Sequence, residues 1–292
     1  MSVISERPDV SIIVIAYDVR DEVLACLSSV EEYAGDVSYE VILVDNASSD
    51  GLAPAVAERF PAVETIVLPT NEGLPARNHG LRRARGRHRM FIDSDALLRP
   101  GALRTMIGAL DDDPSIGLVG PRLIYPDGSL QLSTRRFPPL LLPLLRRPPL
   151  GRFFEDGPTI RHHLMSGEAH DRTRRVEYVL GACQVFRAEA QAAAGEIDER
   201  IWFGHDDADW CFSMREAGWE ILYLPDAEVV HDYRRTSAQQ PLSSFALRQL
   251  AAHVHFQQKW VRARRRLIAQ GRAMDAHAQM ASSVSLEHAT TR

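Results

Sequence analysis

Over the first third of the chain, short and almost unbroken apolar runs alternate with stretches whose apolar residues recur at helical spacing. Val10–Tyr17 is β-branched and apolar nearly throughout, which predicts a strand covered on both faces. In Asp21–Tyr33, Val23, Leu24, Leu27 and Val30 fall on one helical stripe. Tyr39–Val44 reads as a second strand delivering Asp45-Asn46 into the turn cluster Ser48-Ser49-Asp50-Gly51, after which Pro54 opens a short helix to Phe60. Val63–Leu68 is a third strand, Pro75–Arg85 a helix and Met90–Ile92 a fourth strand. Connections this short between strands and helices predict right-handed crossovers in an open α/β sheet.

Ligands of such sheets sit beyond the carboxyl ends of the strands. Those ends carry Ala16, Tyr17 and Asp18, then Asp45, Asn71 and Asp93. Asp93-Ser94-Asp95 also has the spacing at which an extended segment turns two carboxylates to one side, where a hard divalent ion bound to phosphate would be held. An Asx turn with solvated acids is the competing reading of that triplet alone. Pro100 suits the first turn of a helix over Pro100–Leu110.

The second half is less regular. Ile116–Gly120 predicts a strand, and Tyr125-Pro126-Asp127-Gly128 a turn between Leu123-Ile124 and Leu130–Leu132. A leucine- and proline-rich stretch follows to Phe154; it suits a packed loop, a lid or a patch dipping into a membrane interface. Arg161–Arg175 is polar and unpatterned, and His162, His163 and His170 in it read as solvated loop residues. Order returns at Val176–Leu180. Gly181 and Ala182 are small enough for a ligand, or a packed neighbour, to approach the backbone closely. From Asp206 a helix is predicted whose first turn holds Asp206, Asp207 and Asp209 and whose end is marked by Gly218. Acids offset a helix dipole there, but three beside Trp202, Trp210 and His205 exceed that need, and a carboxylate held there is expected to stay ionised near neutral pH, as a general base must. Trp202, Phe203 and Trp210 suit sugar faces or the core equally. Ile221–Leu224 and Val229-Val230 predict short strands, with His231 just beyond.

The totals narrow the function. The chain has 292 residues, enough for one large domain, and a net charge of -5, which argues against nucleic acid as a partner. Lys259 is the sole lysine. Three dispersed cysteines, Cys26, Cys183 and Cys211, lack zinc or disulfide spacing. No signal sequence or membrane-spanning run is evident, so a cytoplasmic chain is expected. Neither a dinucleotide fingerprint nor a P-loop occurs, so bound phosphates would need a metal and arginine. A metal-dependent nucleotidyltransferase would carry a glycine-rich basic loop after the first strand, and Tyr17–Arg20 is not one.

Taken together, the motifs resemble those of family 2 glycosyltransferases, in particular the bacterial rhamnosyltransferase-like branch. They are Val14-Ile15-Ala16-Tyr17, Val44-Asp45-Asn46-Ala47-Ser48-Ser49-Asp50-Gly51, Asn71-Glu72-Gly73 with Ala76-Arg77-Asn78, and Asp93-Ser94-Asp95. Gly181-Ala182-Cys183, Asp206-Asp207-Ala208-Asp209, Ala217-Gly218-Trp219 and Tyr223-Leu224-Pro225-Asp226-Ala227 up to His231 continue the series. Asp18 and Asp206 depart from the Asn and Glu frequent in the family, and both keep polarity.

The resemblance implies a GT-A fold: a Rossmann-like, mainly parallel central sheet flanked by helices, with a smaller acceptor-side region and a C-terminal helix. It implies a catalytic domain over residues 1–240, with the donor part over 8–120 and the acceptor part over 121–240. A basic amphipathic helix over 241–272 and a disordered tail over 273–292 would follow. Asp45 would bond the base of a nucleoside-diphosphate sugar, with Ala16, Tyr17, Asp18, Asn71 and Ser94 lining that site, Arg77 beside base or diphosphate, and Asp93 on ribose or sugar. Asp95 and His231 would hold Mg²⁺ or Mn²⁺. Asp207 would be the catalytic base, with Gly181, Ala182, Trp202, Asp206 and Trp210 on the acceptor side. The implied reaction is inverting transfer of a hexose, first of all rhamnose from dTDP-rhamnose, to a glycan or lipid-linked acceptor in surface-polysaccharide synthesis. A UDP-sugar donor, or a non-catalytic binding subunit, is the alternative. Phe245, Leu247, Leu250, Ala251, Val254 and Trp260 with Lys259, Arg262, Arg264, Arg265 and Arg266 suit either peripheral contact with the inner face of the plasma membrane or packing on the domain.

Overall fold

The computed structural model describes residues 7–139, 142, 157–232, 244–261 and 265–266. The elements run β1 (Val10–Ala16), α1 (Arg20–Tyr33), β2 (Tyr39–Asp45), α2 (Leu52–Arg59), β3 (Glu64–Val67), a 3-10 turn (Leu74–Ala76), α3 (Arg77–Arg83), β4 (His88–Asp93), β5 (Ala96–Leu98), α4 (Ala102–Asp112) and β6 (Ile116–Ile124). There follow β7 (Leu130–Gln131), β8 (Thr134–Arg135), α5 (Pro158–Leu164), β9 (Arg174–Val176), β10 (Tyr178–Val179), β11 (Cys183–Arg187), α6 (Ala188–Ala194), α7 (Asp206–Glu216), β12 (Glu220–His231) and α8 (Ser244–Trp260).

The apolar runs become central strands because both of their faces are covered. Ile12 and Val14 of β1 share a core with Val23, Leu27 and Val30 of α1 and Leu103, Met106 and Leu110 of α4. Ile13 and Phe91, on the opposite face, share one with Leu81 of α3 and Trp210, Phe212 and Met214 of α7. A fully buried aliphatic or aromatic side chain of this kind contributes about 1.5–3 kcal/mol. The sheet order is β3-β2-β1-β4-β11-β6-β12-β5, with β7 against β6 and β9 against β12. β3, β2, β1 and β4 are mutually parallel, and β12 is parallel to β6. Between β4 and β6 lies β11, antiparallel to both. That inserted strand brings the Gly181-Ala182 turn to the carboxyl end of β4, where the Ala182 carbonyl accepts the Asp93 N–H at 2.8 Å.

Several expectations are corrected. The helix expected from Pro100 begins at Ala102, after Gly101 in the left-handed region, because β5 uses Ala96–Leu98 to pair with the end of β12. The two short strands after Gly218 are one, β12, with a register shift between Leu224 and Glu228. Arg161–Arg175 is a solvated loop only in part: His162 and most of residues 166–173 are exposed, as expected, but the segment starts in a helix and buries two of its histidines. Residues Pro158–Leu164 form α5, and His163 and His170 are buried because their ring nitrogens bond backbone carbonyls, of Arg136 at 2.7 Å and Met165 at 3.0 Å. In α8 the packed face is Ala252, His253, Phe256 and Gln257, whereas Leu250 and Val254 face outward. The polar members of that face are buried because they have partners, as in the bond from Gln257 Nε2 to the Pro138 carbonyl at 3.1 Å. The expectations for residues 143–154, the side chains of 245, 247 and 260, and the tail from 273 lie outside the described residues. Among the described residues no helix is long and apolar enough to cross a membrane.

Candidate active site

Asp93 ends β4, and Ser94-Asp95 is a tight turn before β5 rather than extended chain. The convergence of the two acids therefore comes from the turn and not from strand alternation. β5 pairs antiparallel with β12, so that Ala96 faces His231, and the Asp232 N–H donates to the Asp95 carbonyl at 3.1 Å. One ligand atom from each of Asp93, Asp95 and His231 can be chosen so that all lie within 4.8 Å of one another. His231 Nε2 is 3.4 Å from Asp95 Oδ1 and 4.0 Å from Asp93 Oδ2. Burial works against protonating this imidazole, but the hydrogen bond to Asp95 and the charge of Asp93 outweigh it and raise its pKa. The pocket is built for positive charge, and two carboxylates with one imidazole are a donor set suited to Mn²⁺ or Mg²⁺.

Arg77, at the start of α3, ties this turn to the acidic helix. Its side chain is 3% exposed, its Nη2 donates to Asp93 Oδ1 at 2.5 Å, and its Nη1 lies 3.4 Å from Asp206 Oδ2. The guanidinium also sits 4.9 Å above the Phe91 ring. Its charge is thereby engaged by two acids, the buried Asp206 and the half-buried Asp93. Burial raises the pKa of Asp93 and of Asp206, each against the pull of Arg77.

The three acids of α7 have three surroundings. Asp206 faces Arg77, and Asp209 is buried against Lys259 of α8 at 2.8 Å. Asp207 is half-buried, accepts the Ala208 N–H at 2.8 Å, and has no cation at ion-pair distance among the described residues. Burial and then the charge of Asp206 push its pKa up to about 7. The expectation that this carboxylate stays ionised at neutral pH is thus corrected: it titrates there, which suits a base that must accept and release a proton. Gly181 lies alongside, where a Cβ would sit 3.5 Å from both Arg77 Nη1 and Asp207 Cβ.

On the opposite side, Tyr17 is 50% exposed, and Asp18, at φ 51°, accepts the Ser49 N–H at 2.7 Å, which latches the end of β1 to the loop after β2. Asp45 is buried with Oδ1 accepting the Ser48 N–H at 2.8 Å. Asn71 shapes its loop: Oδ1 accepts from Asn46 Nδ2 at 3.0 Å and from the Gly73 N–H at 2.9 Å. Asn46, which also accepts the Glu72 N–H at 2.8 Å, is the hub of that loop. Two of the expected acceptor-side residues have buried side chains. Trp210 is 3% exposed and packs on Phe91 and Phe186, so it offers a sugar no face. Ala182 has its side chain in the core. Trp202 stays at the rim, half-buried, under the Arg248 guanidinium at 4.5 Å.

Residues 11–189 match the sequence profile described as Glycosyl transferase family 2. The chain belongs to that family. Its curated relatives include N-acetylglucosaminyl-diphospho-decaprenol L-rhamnosyltransferase of Mycobacterium tuberculosis, 27% identical over 260 residues that cover 84% of each chain. Among solved structures, GalNAc-T7 with UDP, GalNAc and Mn²⁺ superposes with a TM-score of 0.66 at 16% identity, over 89% of this chain and 50% of the other. The mannosyltransferase PcManGT from Pyrobaculum calidifontis, in complex with GDP-Man and Mn²⁺, gives a TM-score of 0.53 at 21% identity, over 97% and 81% of the two chains. The protein is a family 2 glycosyltransferase with the GT-A fold, and the relative matched over 84% of each chain agrees with the resemblance to the rhamnosyltransferase-like branch.

In this family 2 enzyme, sequence reasoning missed Asn46 and Lys259 as organising residues of the site. Each is a polar side chain whose partner is remote in sequence, and only Asn46, next to Asp45 in a turn cluster, left a local sign. Gly73 joins the two halves of the cleft. At φ 74° it is in a region that side chains avoid, and a Cβ there would lie 2.3 Å from the Trp202 carbonyl, which accepts the Leu74 N–H at 2.9 Å. Gly73→Ala should therefore destabilise the protein by about 1–3 kcal/mol in urea unfolding, and an unchanged midpoint would show that the contact is not rigid.

Proposed function

We propose that the protein transfers a sugar from a nucleoside-diphosphate donor to a hydroxyl of a glycan or lipid-linked acceptor, with inversion and with Mn²⁺ or Mg²⁺ bound by Asp95, His231 and Asp93. Rhamnose from dTDP-rhamnose is the first donor to test. The observation that carries the reading is the meeting of Asp93, Asp95 and His231 at one end of the sheet, with Asp207 across the Arg77 bridge. The rhamnosyltransferase relative, matched over most of both chains, supports the choice of sugar and a polyprenyl-diphosphate acceptor.

In this mechanism Tyr17 and Asp45 hold the nucleoside part, and the Asn46–Asn71 loop shapes the floor beneath it. A bound divalent ion supplies Lewis-acid charge to the departing diphosphate. Asp207 accepts the proton of the acceptor hydroxyl as its oxygen bonds to the anomeric carbon from the face opposite the diphosphate, and the bond from that carbon to the diphosphate oxygen breaks. Arg77 keeps Asp93 and Asp206 fixed and charge-compensated while Asp207 titrates.

Thermal shift with UDP, dTDP and GDP, each with and without Mn²⁺, tests the donor half without knowledge of the acceptor. A ligand that binds only the folded state at one hundred times its Kd stabilises by about 2.7 kcal/mol. Metal-dependent stabilisation by dTDP, lost in Asp95→Ala, is expected. Stabilisation by UDP or GDP alone would redirect the donor. No response to any nucleotide at millimolar concentration would remove the reading.

A further inference from the structure

β7 is only two residues long, yet it ends at a side chain that the transfer chemistry above does not use. The β6–β7 hairpin is closed by the Tyr125 N–H bonding the Ser129 carbonyl at 2.8 Å, and its register sets Gln131 opposite Leu123. β6 continues its pairing on its other edge with β12, where Val229 lies opposite Leu123 and Val230 opposite Ile124. Gln131 and His231 thus flank the end of one strand, and their side chains meet there. Gln131 Oε1 is 2.7 Å from His231 Nδ1, with the two residues 3% and 5% exposed.

An imidazole has two nitrogens, and only one that carries no proton can turn a lone pair to a metal. With Nδ1–H donated to an amide oxygen, the nitrogen left for a metal is Nε2, the atom that faces Asp95 at 3.4 Å and Asp93 at 4.0 Å. A buried amide kept only to fill space would be expected to satisfy both of its ends. Among the described residues Gln131 Nε2 has no hydrogen-bond partner, so this side chain is held in the interior at a desolvation cost with its oxygen on His231.

Resting on the metal-dependent reading given above, we propose that Gln131 is the positioning residue of this centre: its Oε1 fixes the ring plane and the protonated nitrogen of His231, so that Nε2 is presented to the ion between Asp93 and Asp95. Partners of this kind orient the ring and raise the basicity of the ligating nitrogen, and their removal typically weakens metal binding about 10–100-fold.

The test uses Mn²⁺ alone with the full chain. Free Mn²⁺ is followed by electron paramagnetic resonance, and bound imidazole by its nitrogen modulation in electron spin-echo spectra. Gln131→Leu and the closer-volume Gln131→Met are expected to bind Mn²⁺ about 10–100-fold more weakly and to lose or weaken the imidazole signal. Gln131→Glu, which keeps an acceptor oxygen at the same reach, is expected to retain both. Circular dichroism on each variant separates loss of fold from loss of the ligand. Wild-type affinity and signal in either apolar variant overturn the inference and leave the metal reading standing, and so does a folded Gln131→Glu as weak as they are. A wild-type protein that takes up no Mn²⁺ overturns the metal reading and this inference with it.

Discussion

Asp207→Asn is expected to lower kcat for sugar transfer by about 10²–10⁴-fold while leaving a folded protein. Asparagine preserves the shape and the bond from the Ala208 N–H but cannot accept the acceptor's proton. The pH dependence provides a second, independent readout. Burial and Asp206 push Asp207 up to about 7, so the wild-type rate should climb through neutrality and level off above it, and the residual rate of the variant should lack that limb. Stability moves the other way. A carboxyl whose pKa is higher folded than unfolded contributes stability that is fully present below its unfolded value, near 3.8, and is lost as pH rises through about 7. Asparagine carries no charge at any of these values, so in urea unfolding the variant should gain on the wild type between acid and alkaline pH. A variant with wild-type kcat and an unchanged profile would remove Asp207 from the proposed chemistry.

Arg77→Met should be the most destabilising single change at the site. It deletes the cation that compensates Asp93 at 2.5 Å and Asp206 at 3.4 Å, and breaking a buried ion pair by removing one partner typically costs about 3–5 kcal/mol. Lysine would be a poor substitute, since one ammonium cannot present a planar fork to two carboxylates on different elements. The loss is measurable by urea unfolding, and adding Asp206→Asn to Arg77→Met should recover part of it, because one of the two orphaned charges is then gone. A loss within the roughly 0.5 kcal/mol typical of surface substitutions would mean that the bridge is not held in solution. Transfer activity should fall with the single change even at temperatures where it stays folded, as Asp93 would no longer be fixed.

The first half of the fold was legible because its cause is local. Val10–Ala16, and Tyr39–Asp45 from Val41 onward, are strands buried on both faces, and continuous apolar runs announce that burial directly. α1 announced itself by its stripe, and α7 by acids before an apolar segment with Gly218 beyond its end. Polar ends on consecutive parallel strands were enough to indicate which edge of the sheet carries the chemistry. Local pattern misled where polar side chains are buried for reasons set elsewhere. His163 and His170 look like solvated histidines until backbone carbonyls are found facing them. In α8 the buried stripe includes His253 and Gln257 while Leu250 and Val254 face out, the reverse of what hydrophobicity suggests.

By itself, then, the sequence determined an α/β sheet whose polar strand ends bear Asp45 and Asp93, because apolar runs and turn chemistry act over a few neighbouring residues, and the order of its motifs carried the resemblance to family 2 glycosyltransferases. Only the tertiary structure decided what those groups meet. Antiparallel insertion of β11 beside β4 placed Gly181 over Arg77, pairing of β5 with β12 brought His231 to Asp95, and the β6–β7 hairpin set Gln131 behind that histidine. Side chains up to 129 residues apart in the chain, as Arg77 and Asp206 are, come into contact through sheet order and register. Those are properties of the packed whole, which no window of sequence contains.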